Sequence, residues 1–483
     1  MATTPKEAAR PTRVQARRPK PPPHLSPPER AAFGKARRSE VPRSSQASWK
    51  PDGERQDPID LLEEQASDRI PELVPIRYGR MSTSPFAFFR GAAYVMASDL
   101  AASPQSGIRV QLCGDAHLAN FGVFASPERD LVFDLNDFDE TLPGPWEWDV
   151  KRLAASIAVA ARDLSIGLKR RRSIVQGAVG QYRDAMHQFA GMVTIAVWYA
   201  RIYESALSPA LARLKPRQVK GLAKGAAKAR AKDNSRAFTR LAHHVDGSAR
   251  ITPDPPLIVP IEDLLPDVQA KRLDKALHAV MASYRASLPD SLRHLVDRYE
   301  YADAARKVVG VGSVGTRAWV VLLLGRDGDD SLFLQAKEAT RSVLEPFVGK
   351  TKFANQGRRV VEGQRLMQAA SDIFLGWLRV PDIDGRARDF YVRQLWDWKR
   401  SADLTTMRPS DLDVYARLCA WTLARAHARS GDAIAIAAYL GSADAFDRAI
   451  AAFAEDYADQ NERDHAALLA AIESGRVEAT RGL

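Results

Sequence analysis

Cysteine is nearly absent from this chain, since only Cys113 and Cys419 occur among 483 residues. Two cysteines cannot build a disulfide framework, which excludes the small secreted domains stapled by several bridges and favours a reducing, cytoplasmic setting. Long apolar runs are also missing, because the longest candidates, such as Leu153 to Ala161, end at a charge, here Arg162. A bilayer-spanning helix needs about 20 apolar residues. We therefore expect no membrane span.

What remains is the composition of an ordinary globular protein. The chain is 45% hydrophobic and 27% charged, and its length is sufficient for two lobes that each bury a core. From Leu153 onward the apolar residues recur at helical spacing, for example Tyr182, Met186, Phe189 and Val193. This periodicity predicts a helix-rich part that follows a shorter strand-rich segment.

The first sixty residues have no sustained apolar pattern and are rich in Pro, Arg and Ser, including PKPPPHLSPP at Pro19 to Pro28. Met1 to Gln56 contains thirteen Lys and Arg against five Asp and Glu, an excess of eight that is most of the formal charge of +11. Such a segment cannot bury enough surface to offset chain entropy. We expect residues 1–60 to form a disordered, solubilising basic tail, with neither a signal peptide nor a mitochondrial presequence.

A second cationic run extends from Arg213 to Arg240, where only Asp233 counters ten basic residues. Phe238 is the one aromatic residue nearby, and no motif that reads nucleic-acid bases is present. We expect a solvated helix or a lid that faces the substrate, and nucleic acid is a minor hypothesis as a partner. The sequence does not indicate an oligomeric state.

The most informative stretch is VQLCGDAHLANFGVF, Val110 to Phe124. Asp115 can orient or deprotonate an attacking hydroxyl, and Asn120 can supply a neutral oxygen to a magnesium ion. A turn-like ASPERD and the acidic run FDLNDFDE, Phe133 to Glu140, follow. The pattern predicts a hairpin that presents carboxylates at its mouth, and hard cations prefer such oxygen ligands.

Three glycines, Gly310, Gly312 and Gly315, form a G-x-G-x-x-G pattern in the segment Ala305 to Ala339. In a dinucleotide-binding fold they would open a helix. Here they lead into the apolar run AWVVLLLG, then a GRDGDD turn and another strand. The pattern therefore predicts a glycine flap on a hairpin, which allows a triphosphate to approach the backbone closely.

Four basic or ionisable side chains are further candidates for contacts to substrate or phosphate. Arg80 and Arg90 flank an apolar patch that could anchor a loop and aim both guanidiniums at a phosphate or a carboxylate, although structural salt bridges would explain them equally well. Arg393, in the predicted strand Phe390 to Trp396, has the same two interpretations. His117 lies two residues after Asp115.

The spacing D-x-H-x-x-N, followed by an apolar strand and D-F-D, resembles the protein-kinase-like superfamily, particularly its aminoglycoside and choline kinase branch. The resemblance implies that Asp115 is the catalytic base and that Asn120 and Asp137 hold Mg²⁺. Asp134 and Asp139 compete for the metal role. We favour Asp137 because its interval to Asp149, which opens a predicted helix, suits that branch best.

The same resemblance assigns Lys337, near the end of the third strand, to the nucleotide phosphates. Its expected partner is a helical glutamate, Glu362, beside an apolar stripe that includes Val361 and Met367. Glu345 is the alternative. Cys113 departs from the pattern, because the family usually has His there.

The order of these elements is reversed relative to an ordinary kinase, because Asp115 precedes Gly310 by about half the chain. Circular permutation would explain this, since a fold can be reopened at a surface loop without altered packing. The helix predicted at Tyr415 to Asp432 carries an L-A-x-x-H pattern that leads into the catalytic loop in small-molecule kinases. We expect its His427 to be a packing residue.

Several longer motifs, from RYGRMSTSPFAFFRG at Arg77 to ARAHARSGD near the C-terminus, closely resemble a bacterial family known as domain of unknown function 2252. The resemblance covers about Arg69 to Asp432 and names relatives without naming an activity. The predicted fold is α+β, a circularly permuted two-lobed kinase-like fold with a helix-rich large lobe and a small antiparallel-sheet lobe. Its expected parts are the tail (1–60), catalytic and metal-binding elements (61–300), a nucleotide-binding lobe (301–400) and completing helices (401–483).

The function predicted from these residues is transfer of a phosphoryl group from ATP, with Mg²⁺, to a hydroxyl of an unidentified small molecule or protein. Transfer of a nucleotidyl group by the same pocket is one alternative. A non-catalytic nucleotide sensor or a scaffold associated with nucleic acid is another.

Overall fold

The computed structural model describes residues 25–49, 53, 55–203, 234–245, 248–265, 270–327, 330–381, 385–395 and 398–483. The cationic run from Arg213 to Arg240 lies mostly outside this part of the chain, as do residues 1–24 of the basic tail. The predictions for those two segments stay predictions.

Helices and antiparallel strands both contribute, so the fold is mixed α+β. In the described ranges the helices are α1 (Pro27–Glu40), α2 (Pro58–Ala66), α3 (Val74–Met81), α4 (Pro85–Gly91), α5 (Ala93–Ala101), α6 (Trp146–Asp163), α7 (Leu168–Ala190), α8 (Thr194–Tyr199), α9 (Asn234–Leu241), α10 (Ile261–Leu264), α11 (Ala270–Ala286), α12 (Asp290–Val296), α13 (Glu345–Val348), α14 (Gln356–Met367), α15 (Pro409–Ser430), α16 (Ala433–Leu440) and α17 (Ala445–Glu473). The strands there are β1 (Arg109–Leu112), β2 (Phe121–Ala125), β3 (Leu131–Leu135), β4 (Leu142–Pro145), β5 (Ile202–Tyr203), β6 (Ala242–Val245), β7 (Ser248–Ile251), β8 (Ile258–Pro260), β9 (Glu300–Lys307), β10 (Ala318–Leu324), β11 (Ser331–Glu338), β12 (Gly376–Pro381), β13 (Ala387–Gln394) and β14 (Arg400–Ser401).

The largest sheet has six strands in the order β12-β13-β11-β10-β9-β8, and each neighbouring pair is antiparallel. Successive side chains of a strand point to opposite faces. Leu322 pairs with Phe333 and both pack into the core on one face, whereas Leu323 pairs with Leu332 and both pack on the other. Because both faces are covered, the apolar run of β10 is continuous. The glycine segment joins β9 to β10, and the predicted hairpin of β10 and β11 is confirmed.

The helical part surrounds α6, in which every residue from Trp146 to Ala161 is buried. Helices α7, α15 and α17 pack against α6, and α7 also packs against α15 and α17. Trp146 stacks on Tyr182 with a centroid separation of 5.7 Å, so the first turn of α6 is held in the aromatic core. This rigid first turn carries Asp149, which holds the loop that bears Asp115.

Residues 25–49 differ from the disorder expected for the first sixty residues, because Pro27–Glu40 forms α1. A capping box between Ser26 and Glu29 starts the helix. Gly34 packs so closely on α16 that a Cβ there would lie 2.1 Å from the carbonyl oxygen of Ala435. The helix therefore packs through a glycine and has no apolar stripe. Apolar periodicity does not predict it for that reason.

The expected boundary at residue 300 does not separate the sheets, because β8 (Ile258–Pro260) pairs with β9 in the six-stranded sheet. Helix α11 also packs on this sheet through Tyr284, and Leu288, just after the helix, belongs to the same apolar cluster. No helix in the described parts of the chain is long and apolar enough to cross a membrane.

Candidate functional site

The loop that carries Asp115 joins β1 to β2, and β2 pairs with β3 to form the predicted hairpin. Asp149, in the first turn of α6, accepts hydrogen bonds from the backbone N–H groups of Cys113 (2.8 Å) and Gly114 (3.1 Å). His427 lies 3.3 Å from the Asp149 carboxylate and is fully buried against the Tyr182 hydroxyl. His427 thus packs behind the loop, as expected from the sequence.

The Asp115 carboxylate is held by Arg152, whose Nε and Nη2 lie 2.9 and 2.8 Å from Oδ1. Arg152 itself is buried, donates to the Phe89 carbonyl oxygen and stacks over the Phe89 ring. Burial raises the pKa of Asp115, and Arg152 opposes that rise. Sequence reasoning missed Arg152, although it lies three residues after Asp149 and hence one helical turn along α6.

Asn120 completes the loop by donating from Nδ2 to the Asp115 carbonyl oxygen at 2.9 Å. No hydrogen bond to Asn120 Oδ1 is made by any residue that the structure describes, so this oxygen is available as a ligand. One short loop therefore holds Asp115 and Asn120 together, as a carboxylate that orients a hydroxyl and a neutral metal ligand would require.

The three acidic candidates for the metal differ in their partners. Asp134 is buried and forms an ion pair with the buried Arg425, so its role is structural. Asp139 accepts hydrogen bonds from Lys337 and from the Tyr391 hydroxyl. Asp137 has no hydrogen bond among the described residues except a 3.3 Å contact to the Asp139 N–H. Asp137 is the carboxylate of the three that is most available for a cation.

The Asp137 and Asp139 carboxylates, here called the acidic floor, are strongly coupled to the Lys337 ammonium. Burial and the neighbouring Asp139 raise the pKa of Asp137. Burial also opposes ionisation of Asp139, but Lys337 and the Tyr391 hydroxyl outweigh it and lower the pKa of Asp139. Burial alone would lower the pKa of Lys337, yet Asp137 and Asp139 raise it above its ordinary value. Lys337 is therefore a permanent cation facing both carboxylates.

The glycine loop lies against this floor. Ser313, within the loop, accepts a hydrogen bond from Lys337 at 2.7 Å. Gly310 and Gly315 have positive φ angles of 68° and 88°, a conformation that glycine adopts without strain. Arg80 donates to the Gly310 carbonyl oxygen at 2.6 Å. Arg69, which was not among the predicted residues, donates to the carbonyl oxygen of Val314 in the same loop.

The predicted partner of Lys337 is wrong. Glu362 lies on the outer side of α14, where its carboxylate is 3.7 Å from Arg358, and Glu345 accepts from the backbone N–H of Thr351. Neither contacts Lys337, because the inner side of α14 is occupied by Arg359. Arg359 donates to the carbonyl oxygens of Asp139, Thr141 and Thr340. The helix thus positions the acidic loop through backbone contacts, and Asp139 supplies the negative charge beside Lys337.

Most of the site groups open onto one cleft of about 180 Å³, whereas Lys337, Gly315 and Arg80 do not line it. The predicted residues that line it are Arg90, Asp115, His117, Asn120, Asp137, Gly310 and Gly312. Arg393 lies elsewhere, beside a second and smaller cavity, where it donates to Gln335 at 3.0 Å and to the Asn136 carbonyl oxygen at 3.3 Å. The cleft brings together segments that are about 200 residues apart in the chain.

The donor set fits a magnesium ion that shares its coordination with phosphate oxygens. Mg²⁺ prefers oxygen ligands and is usually held by one or two protein carboxylates plus substrate phosphates. Among the predicted metal ligands that the structure describes, Asn120 Oδ1 and the Asp137 carboxylate have the fewest hydrogen bonds. Within the ranges that the structure covers, no cluster of three or more His, Cys, Asp or Glu could hold a metal by itself. A cation bound here would complete its coordination with water or with substrate oxygens.

Comparison with known proteins identifies relatives by family only. The family model for domain of unknown function 2252, described as an uncharacterized protein conserved in bacteria, matches residues 69–471. No curated protein and no solved structure matches the chain.

Proposed function

The chain belongs to the bacterial family of domain of unknown function 2252, and we propose that it is an ATP- and Mg²⁺-dependent phosphotransferase with a circularly permuted, two-lobed kinase-like arrangement. In this proposal the six-stranded sheet is the small, nucleotide-binding lobe, and the helical part is the large lobe. The acceptor is a hydroxyl group of a small molecule or a protein.

One observation carries the proposal: the ammonium of Lys337 contacts both the Asp139 carboxylate and the Ser313 hydroxyl. Lys337 comes from a strand of the sheet, Ser313 from the glycine loop and Asp139 from the acidic run that follows the β2–β3 hairpin. A surface hairpin of acidic residues would not bury a lysine against a glycine loop. The contact supports the proposal, because phosphoryl transfer uses a cation and a glycine loop that face the metal-binding residues.

The residues then have separate tasks. Asp115, fixed by Arg152, orients the acceptor hydroxyl and accepts its proton as the phosphoryl group arrives. The backbone of the glycine loop lies along the phosphates, and Lys337 neutralises part of their charge. Bound Mg²⁺, held by Asn120 and Asp137, would supply further charge neutralisation. Most of the rate acceleration comes from positioning and electrostatics, since the phosphoryl group needs little covalent help.

The test is ATP consumption by the purified protein with Mg²⁺ and a metabolite extract. We expect Asp115→Asn to lower turnover by about 10²- to 10⁴-fold. Asp290→Asn is the matched control, because the Asp290 side chain is 94% exposed and outside the cleft. Equal turnover by the wild type and Asp115→Asn would refute the proposal.

Labelled ATP distinguishes phosphoryl transfer from nucleotidyl transfer. With ATP labelled at the γ-phosphate, we expect the label to reach the acceptor. Transfer of label from the α-phosphate instead would show that the same cleft transfers a nucleotidyl group.

A further inference from the structure

Arg90 stands out in the cleft because its guanidinium has no hydrogen-bond partner in the part of the chain that the structure describes. It lies at the end of α4 and lines the cleft, yet it makes no hydrogen bond or ion pair with any residue that the structure describes, and its Nε is buried. A buried donor without a partner costs free energy. A guanidinium in that situation is suited to a ligand that supplies oxygen acceptors.

Several of the acidic groups near Arg90 are already engaged. Glu338 forms ion pairs with Arg317 and Arg388. Asp139 is paired with Lys337, and Asp115 with Arg152. Asp137, a further electrostatic neighbour of Arg90, is the Mg²⁺ ligand in the proposed function. Arg90 forms no ion pair with a described residue, and a cationic ligand placed directly beside its guanidinium would be repelled.

Arg90 lies near the carboxylate that orients the acceptor in the proposed function, and its backbone carbonyl oxygen also faces the glycine loop at Gly312. Among charged groups, its strongest electrostatic neighbour is Asp115, whereas the strongest neighbours of Lys337 are Asp137 and Asp139. His117 is beside Asp115 as well, with Nε2 3.5 Å from Oδ2, and its buried Nδ1 has no hydrogen-bond partner among the described residues. Two unpartnered donor or acceptor groups thus surround the carboxylate that orients the hydroxyl.

We propose that the acceptor carries an anionic group, a carboxylate or a phosphate, near the hydroxyl that reacts, and that Arg90 binds this group in a bidentate contact. The inference rests on the proposed function, because it takes Asp115 as the residue that orients the acceptor. It excludes cationic acceptors of the aminoglycoside or choline type, whose charge would lie against Arg90.

The test uses calorimetry on the full chain saturated with Mg²⁺ and a non-hydrolysable ATP analogue. Sulfate is the probe for a phosphate group, acetate for a carboxylate, and tetramethylammonium for a cationic group, at constant ionic strength with chloride. We expect one of the two anions to bind and tetramethylammonium not to bind. Arg90→Gln should weaken anion binding by about tenfold to a hundredfold, and Arg90→Lys should restore part of it.

Arg448→Gln is the control for net charge, because Arg448 is exposed on α17 and pairs with Asp444. Arg90→Gln breaks no hydrogen bond or ion pair to a described residue, so it should melt close to the temperature of the wild type. The proposal is overturned if neither sulfate nor acetate binds. It is also overturned if Arg90→Gln binds the anion as tightly as the wild type, or if the nucleotide displaces the anion. Displacement would mean that Arg90 binds nucleotide phosphate. Failure of the analogue itself to bind would instead refute the proposed function.

Discussion

The Lys337 ammonium contacts the Asp139 carboxylate, although the two residues are 198 positions apart in the chain. Lys337 is 2% exposed, so the contact is made largely out of water. It links the six-stranded sheet to the acidic loop that follows β3.

The first prediction concerns this pair. We expect Lys337→Gln and Asp139→Asn each to lower the free energy of unfolding by about 3 kcal/mol, because each leaves a buried charge without its partner. The double variant should lose less than the two single losses together, with a coupling energy of about 1 to 3 kcal/mol. Guanidinium denaturation of the four proteins measures this coupling, and strict additivity would contradict it.

Asp137 is expected to determine the affinity for Mg²⁺. Replacement by Asn removes the negative ligand while it keeps the size of the side chain. The Mg²⁺ concentration for half-maximal ATP turnover should rise by at least about tenfold. Asp444→Asn, an exposed change on the surface, serves as the control. An unchanged Mg²⁺ requirement in Asp137→Asn would remove Asp137 from the metal site.

Arg152 is expected to set the pH range of Asp115. Burial raises the pKa of Asp115, and the adjacent guanidinium of Arg152 opposes this rise. The carboxylate must be ionised to orient and deprotonate a hydroxyl, so activity is lost as the pH falls through its pKa. In Arg152→Gln we expect the acidic limb of the rate profile to move to higher pH.

Arg152→Lys keeps the charge and should leave that limb close to its wild-type position. If Arg152→Gln lowers the rate but does not shift the acidic limb of the pH–rate profile, Arg152 has only a packing role and does not change the pKa of Asp115.

Glu140 makes stability depend on pH. Burial raises the pKa of this carboxyl to about 7, whereas in the unfolded chain it ionises at about 4.3. The stability associated with the bound proton is present below about pH 4.3 and is lost as the pH rises through 7. Glu140→Gln stays neutral and keeps an oxygen acceptor for the Val343 N–H.

Between pH 5 and pH 8 the wild type should therefore lose about 2 kcal/mol more unfolding free energy than Glu140→Gln. Denaturant titrations of both proteins at the two pH values measure the difference. A constant difference between the proteins at the two pH values would contradict a raised pKa.

Asp134 has a structural role that separates it from Asp137. Its ion pair with Arg425 is almost completely buried, with side-chain exposures of 3% and 1%. Asp134→Asn should cost about 3 to 5 kcal/mol of stability, because Arg425 is left as a buried charge. Asp134→Asn combined with Arg425→Met should regain part of this loss. Denaturation midpoints test both statements, and a loss below about 1 kcal/mol in the single variant would contradict the first.

Much of the local structure follows from short-range patterns. The alternation and turn residues around 121–135 and 318–338 predict the two hairpins, and the stripe of Val361 and Met367 predicts helix α14. The spacing of Asp115 and Asn120 is also local, since one short loop holds both. These features depend on backbone preferences and on apolar periodicity, which act over a few residues.

The partners of charged side chains could not be predicted in the same way. A helical glutamate was expected beside Lys337, but the rotation of α14 on the sheet turns Glu362 outward and Arg359 inward. Arg152 and Arg69 also contact the site through packing that no local pattern encodes. Helix α1 was missed because it docks through Gly34, and a glycine leaves no apolar signal in the sequence.

By itself, the sequence determined which groups are available for chemistry: a carboxylate and an amide on one loop, an acidic run, three glycines and a strand lysine. Only the tertiary structure decided that Asp139 is the partner of Lys337, that Asp137 is left with few hydrogen bonds and that Arg90 forms no ion pair with a described residue. The reason is physical. Covalent neighbours define the local conformation, whereas the pairing of charges over hundreds of residues depends on how the sheet and helices bury their apolar faces against each other.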